Sequence, residues 1–267
     1  MGYRYSAAEG AVLLAAMIVF LALMGDMVSI MPVATSGLCG VLMGYMLKAK
    51  RPAVEIVKNG FAVALVSLVG VFGVYKGFFH MNILQDFVDA LPKFVQSSMD
   101  AYRSMGIGGQ DLSTLKTMLE SAMNFIGMSL PFDIILYSGA VSLIGFLATE
   151  AVLKNEDISR LKPFSEWKVS RNLSLLLIAV WLIELAFRTN NTVYMVTLNA
   201  VLTLLAIFAV DGYSLLAFYM KKLGMKSWLQ ILTVIMSIYI SVFAFIVIGA
   251  GVLDASFDFR HLGKGAS

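Results

Sequence analysis

The sequence has little charge for its size. Of 267 residues only 14% are Asp, Glu, Lys or Arg while 59% are hydrophobic, and the mean hydropathy is +0.83. An ordinary soluble domain carries about 25% charged residues, so a water-dispersed globule, and with it a soluble enzyme, is excluded first. The same scarcity argues against a disordered chain, a coiled coil and a nucleic-acid-binding domain, each of which needs abundant exposed charge. The net charge of +3 is too small and too scattered to seek a polyanion. Cys39 is the only cysteine and lies in an apolar run, which excludes an intramolecular disulfide and a cysteine metal cluster. The two histidines, His80 and His261, fall outside the apolar runs and no His-Glu-x-x-His occurs, which argues against a zinc peptidase in the membrane. Ser36, between Thr35 and Gly37, has no histidine to activate it. There is no phosphate-binding glycine loop and no Arg-rich span, which argues against a self-contained ATPase and a voltage sensor. No enzyme activity, cofactor or metal is expected.

What the sequence does contain is long apolar runs. A bilayer core needs roughly 20 apolar residues of helix, because every backbone polar group must be satisfied without water. Seven stretches meet or approach that length: 7–25, 27–47, 59–75, about 124–149, 172–187, about 192–220 and 227–253. The expected architecture is therefore all-α, a polytopic membrane bundle of about seven spans, with six and eight as alternatives. Gly25, Asp26 and Pro32 supply a turn and a kink between the first two. Arg4 ahead of an apolar run resembles a signal peptide, but no small-x-small cleavage site precedes a polar start, so the first helix is expected to stay. With no internal repeat and no linker, residues 1–267 read as one domain.

Basic residues set the expected orientation, since short positively charged connections stay in the cytoplasm. The connections after the second, fourth and sixth spans hold 12 of the 20 basic residues: Lys48, Lys50, Arg51, Lys58; Lys154, Arg160, Lys162, Lys168, Arg171; Lys221, Lys222, Lys226. The N-terminus is then cytoplasmic. Seven spans put the C-terminal tail outside, with Arg260, His261 and Lys264 on the wrong side; a re-entrant segment would bring it back.

Residues 76–123 form the longest connection. Ile83, Leu84, Phe87, Val88, Leu91, Phe94, Val95, Met99 and Tyr102 recur at helical spacing with Asp86, Asp89, Lys93, Gln96 and Asp100 between them, an amphipathic helix bent at Pro92. A glycine turn over 105–110 precedes Asp111, which can cap a second helix carrying Leu112, Leu115, Met118, Leu119 and Met123. The pair reads as an outer helical hairpin, either lying in the interface or acting as a lid.

Ionisable groups inside apolar runs are costly and usually face a bundle interior, which nominates Glu9, Asp133, Glu184 and Asp211. Glu9 is close enough to the N-terminus to reach headgroups, Asp133 follows Pro131 near a span end, and Glu184 is spaced to pair with Arg188 four residues on. Asp211 lies about 20 residues into its span, about 30 Å along the axis. It suits either an interhelical hydrogen bond or a substrate or proton role, and Asn199 on the same span either glue or ligand contact. A cavity lined by Trp181, Asn199, Asp211 and Tyr213 would mark a small-molecule site; the same groups mutually satisfied in a filled core would not. Ala7, Ala11 and Ala15 repeat every fourth residue, as do Ser36, Gly40 and Gly44, leaving flat strips for close helix approach or for a partner membrane protein. Trp167 amid Lys162, Lys168 and Arg171 suits the cytoplasmic interface, as an anchor or as a docking surface together with Phe164. The tail from Asp254 to Arg260 reads as a capped helix end with an Asp258/Arg260 pair, or as a second docking surface.

Several patterns together resemble the YybS-like family of uncharacterised bacterial multi-pass membrane proteins, a domain of unknown function. They are Glu9-Gly10-Ala11, Pro163-Phe164-Ser165-Glu166-Trp167, Asn199 followed by Asp211-Gly212-Tyr213-Ser214, and Gly251-Val252-Leu253-Asp254 with Phe257-Asp258-Phe259-Arg260. Asp211 stands where the pattern has a neutral polar residue. The resemblance implies a bacterial inner-membrane location and a distant similarity to the substrate-binding subunits of energy-coupling-factor transporters, whose first-helix small residues meet a coupling subunit. Ala7, Ala11 and Ala15 correspond to that strip, whereas a seventh span departs from the six-helix pattern. The leading expectation is thus a non-enzymatic transport component that binds a small molecule and relies on separate energising subunits. The alternative is a scaffold or regulatory interaction protein, with other membrane subunits or cytoplasmic proteins as partners.

Overall fold

The computed structural model describes residues 7–106, 109–187 and 189–260. Expectations resting on Arg4, Arg188, His261 and Lys264, and on positions 107–108 of the glycine turn, lie outside the described residues. Among the described residues there are nine α-helices, one short 3-10 turn and no strand. The chain divides into two compact units, Met1–Arg160 and Leu161–Ser267.

The first unit holds α1 (Ala7–Leu23), α2 (Met27–Lys48), α3 (Ala53–Phe78), α4 (Ile83–Ser104) and α5 (Gly109–Val152). Gly25, at φ +75°, ends α1 in the left-handed conformation that costs glycine least, and the Asp26 carboxylate caps α2 by accepting from the Ser29 amide at 3.2 Å. Hydrogen bonding from the Ser29 side chain and amide holds the Asp26 carboxyl below its ordinary value. The core is made by α2, α3 and α5, with Cys39, Met43, Ile56, Ala64, Leu68 and Phe146 buried. Gly60 permits the approach: a Cβ there would run into Met43, Cys39 and Ser142, whose hydroxyl donates to the Val57 carbonyl at 2.7 Å. Leu14 of α1 rests on Gly37, while Ser36 and Gly40 of the expected small-residue strip face outward and only Gly44 is buried.

The expected second helix of the hairpin is not a separate element. α5 runs unbroken for 44 residues, about 66 Å at 1.5 Å per residue. Nothing between Leu119 and Phe125 can stop a helix, and Pro131 is carried inside it. The amphipathic helix expected before it is α4, with Pro92 inside and Val95 and Met99 buried.

The second unit holds the 3-10 turn Phe164–Glu166, α6 (Arg171–Ala186), α7 (Asn191–Lys222), α8 (Ser227–Tyr239) and α9 (Ser241–Phe257). The uncharged run expected as one last span is broken at Ile240, where the backbone is extended. No glycine, proline or charge announces the break; a run rich in β-branched residues, from Val234 to Val242, has the weaker helix propensity that lets it occur.

Among the described residues four helices are long and apolar enough to cross a bilayer: Ser29–Lys48, Ala53–Phe78, Asp111–Val152 and Asn191–Lys222. The pair Ser227–Ser237 and Ser241–Phe257, bent by 107°, makes a fifth if it counts as one span. α1, with 17 residues, and α6, with 16, are shorter. The protein is a multi-pass membrane protein by these helices.

Candidate functional site

Among the described residues buried charge concentrates in the second unit, and two glycines create the site. α7 and α9 touch backbone to backbone: a Cβ on Gly212 would collide with the Val247 carbonyl, and one on Gly251 with the Phe208 carbonyl and the Gly212 amide. Around this crossing Leu204, Phe208 and Ala255 form a buried cluster, with Leu173, Leu177, Val180 and Val252 packed against it. Asp211, beside Gly212, and Asp254, one turn after Gly251, are thereby drawn into the same interior, at 1% and 0% exposure.

The cation between them comes from beyond the helix. α9 ends at Phe257, and Asp258 takes the left-handed conformation at φ +54°, which only a minority of non-glycine residues adopt. The chain turns there and Arg260 folds back. Its Nη2 donates to Asp211 Oδ1 and Asp254 Oδ2, both at 2.7 Å, and its Nε to Asp254 Oδ2 at 2.9 Å. Its Nη1 donates to Ser214 Oγ at 2.7 Å and to the Ser165 carbonyl at 3.3 Å. Guanidinium has five N–H donors in a planar fork, and all five have acceptors here. The side chains of Arg260, Asp211 and Asp254 are fully buried.

The network also holds the segment before α6. Ser214 Oγ lies 2.6 Å from the Phe164 carbonyl and 2.7 Å from that of Trp167, and the Val169 amide donates to Asp211 Oδ1 at 3.2 Å. Lys168 pairs with Asp258 at the edge of the same cluster. The Trp167 indole donates to the Lys162 carbonyl at 2.8 Å and its ring meets Phe164 edge-on at 5.3 Å. Two carboxylate oxygens, Asp211 Oδ2 and Asp254 Oδ1, are buried with no hydrogen-bond partner among the described residues.

Asp211, Asp254, Asp258, Arg260, Phe164 and Trp167 are therefore brought together, although the sequence assigned the first to a ligand and the rest to a partner. The expected Asp258/Arg260 pair is replaced by Arg260 with Asp211 and Asp254, and Asp258 with Lys168. Trp181 stands apart at 63% exposure. Asn199 gives its amide to the Met195 carbonyl at 2.7 Å, and the Tyr213 hydroxyl lies 3.4 Å from Ser237 Oγ. Of the four acids nominated inside apolar runs only Asp211 is buried; Glu9 and Asp133 are exposed and Glu184 half-buried. Ala11 and Ala15 are exposed on α1 and Ala7 is half-buried, the three flanking the Gly10 and Leu14 face that meets α2. Among the described residues, one shallow apolar groove lies between α2 and α3 at Leu42 and Ala62 and another between α6 and α7 at Val180 and Val196. Neither is lined by any of the four residues nominated for a ligand.

Ser214 and Val169 had no assigned role in the sequence. Ser214 was accessible to reasoning, since three residues from Asp211 put it on the same helix face; the Val169 amide was not, because its position depends on the path of an irregular segment.

The chain belongs to the family described as predicted membrane protein (DUF2232), which matches residues 1–255. Asp258 and Arg260 lie just past the matched residues. No curated protein and no solved structure matches the chain.

Proposed function

We propose that the protein is a non-enzymatic component of the bacterial cytoplasmic membrane that works by docking other proteins. The observation that carries this reading is the fate of the polar groups nominated for a ligand. Asp211 is spent on Arg260, the Asn199 amide on its own helix, and Trp181 faces outward, so they do not converge on one cavity. Two surfaces are left for partners. One is the open Ala11 and Ala15 face of α1, which suits the close approach of a membrane helix from another subunit. The other is the segment from Phe164 to Lys168, held in place from beneath by Ser214 and Asp211 and suited to a cytoplasmic protein.

The orientation that fits this reading has the N-terminus in the cytoplasm and six crossings, made by α1, α2, α3, α5, α6 and α7, with α8 and α9 as a re-entrant pair. Its support is internal to the second unit. α8 starts directly after the end of α7, and α9 ends on the 164–169 segment that leads into α6; α6 in turn returns into α7 through residues 187–190. Both ends of the bent pair are then on one side, and Arg260 joins the basic connections that short-loop statistics place in the cytoplasm.

Carriage of a small molecule energised by separate subunits is the second reading, favoured by the open alanine strip that the resembled transporter subunits use to meet their coupling subunit. Native mass spectrometry of the protein released in mild detergent separates the two. A stoichiometric protein subunit with no retained small molecule is expected. A specific small ligand that is retained by the wild type and lost in Asn199→Ala would overturn docking as the primary role.

A further inference from the structure

Among the described residues the charge of the buried network does not close. Asp211 and Asp254 bring two carboxylates to one guanidinium, all three side chains fully buried, and every N–H of Arg260 is already engaged. The Val169 amide reaches Asp211 Oδ1, not the oxygen left over. Asp211 Oδ2 and Asp254 Oδ1 therefore face a buried interior with no donor from the described residues. The surrounding charges among the described residues do not serve them. Lys168 is engaged with Asp258 at the rim, Glu166 of the 3-10 turn and Arg171 at the start of α6 are exposed, and Glu184 sits near the other end of α6. α8 carries no acid or base at all, and α9 none besides Asp254.

We propose that the Asp211–Asp254 pair is a proton-binding site, holding one exchangeable proton that makes the Asp–Arg–Asp cluster neutral. A proton fits the arrangement better than a metal cation. It adds to a carboxylate oxygen directly and turns a bare acceptor into a donor, whereas a metal would have to sit against the guanidinium with fewer than three carboxylate, imidazole or thiolate residues to hold it. The proton belongs to the pair, since each carboxylate is bridged by the same Nη2. Its loss leaves an uncompensated charge at the junction of α7, α9 and the 164–169 segment, so occupancy of the site is coupled to how firmly that segment is held. The inference is independent of the docking reading and rests on charge and hydrogen-bond counts alone.

Infrared spectroscopy of the full-length protein in nanodiscs tests it. The wild type at neutral pH is expected to show a carbonyl stretch of a neutral carboxyl group that shifts in deuterated buffer. Asp211→Asn and Asp254→Asn should each abolish it, because one carboxylate then balances Arg260, and each variant should fold, since an amide is uncharged and can donate. Arg260→Gln should strengthen the signal as both acids become neutral. A wild type without a neutral-carboxyl signal overturns the proposal whatever the variants do; so does a signal that persists in both Asn variants. Stabilisation by sodium or potassium in the absence of that signal would reassign the two oxygens to a cation.

Discussion

Arg260 is a residue whose value lies in what it leaves behind when removed. A buried ion pair is weak evidence for net stability, because desolvation offsets much of its Coulombic gain; breaking one by deleting a partner strands the other charge. Arg260→Met should therefore destabilise the protein by about 3–5 kcal/mol, read as a lowered midpoint in thermal unfolding of the detergent-solubilised protein. Arg260→Lys should also lower it, since an ammonium has three donors and cannot replace the five hydrogen bonds of a planar fork; a wild-type midpoint in either variant would show the network to be unimportant. Much of this site was legible as separate pieces. Asp211 declared itself as an acid deep in an apolar run, and the tail declared itself by its acids and arginine. What joined them was not legible. Residues two apart, such as Asp258 and Arg260, look like a pair until the left-handed backbone at Asp258 sends one side chain to Lys168 and the other back to Asp254.

Between elements, glycine placement decides which helices touch. Gly212 and Gly251 meet opposing backbone, which cannot yield as a flexible side chain can. Gly251→Ala should cost about 1–3 kcal/mol or more from overpacking and should weaken the ion network by prising α9 from α7. Gly40→Ala, which would meet nothing within 4 Å, should stay within about 0.5 kcal/mol of wild type. Thermal unfolding of the two variants side by side checks both; equal midpoints would contradict the packing argument. Sequence spacing pointed to Ser36, Gly40 and Gly44 as the approach strip of α2, yet Leu14 uses Gly37. A four-residue repeat shows where a helix is flat without saying which flat side is used. Element boundaries failed for the same kind of reason: the join of 111–123 to the following span and the break at Ile240 are both set by local backbone preference, with no proline or glycine to mark them. Long apolar helices, by contrast, follow directly from a composition that leaves too little polar surface for water.

At the scale of the whole molecule, composition pointed to a helical membrane protein and the basic connections gave an expected orientation, but the bend inside the last apolar run was not legible, because length and hydropathy alone do not tell a straight span from a bent pair. The central claim is that Arg260 draws the end of α9 onto the 164–169 segment, so that the tail shares a side with the basic connections on either side of α6 and α7. Topology reporters fused after Ser267 test this most directly. A fluorescent protein that folds only in the cytoplasm should be bright there, and alkaline phosphatase, active only outside, should be silent. Bright phosphatase activity with a dark fluorescent fusion would put the tail outside, and would contradict both the proposed re-entrant pair and the proposed cytoplasmic placement of the segment that Arg260 holds.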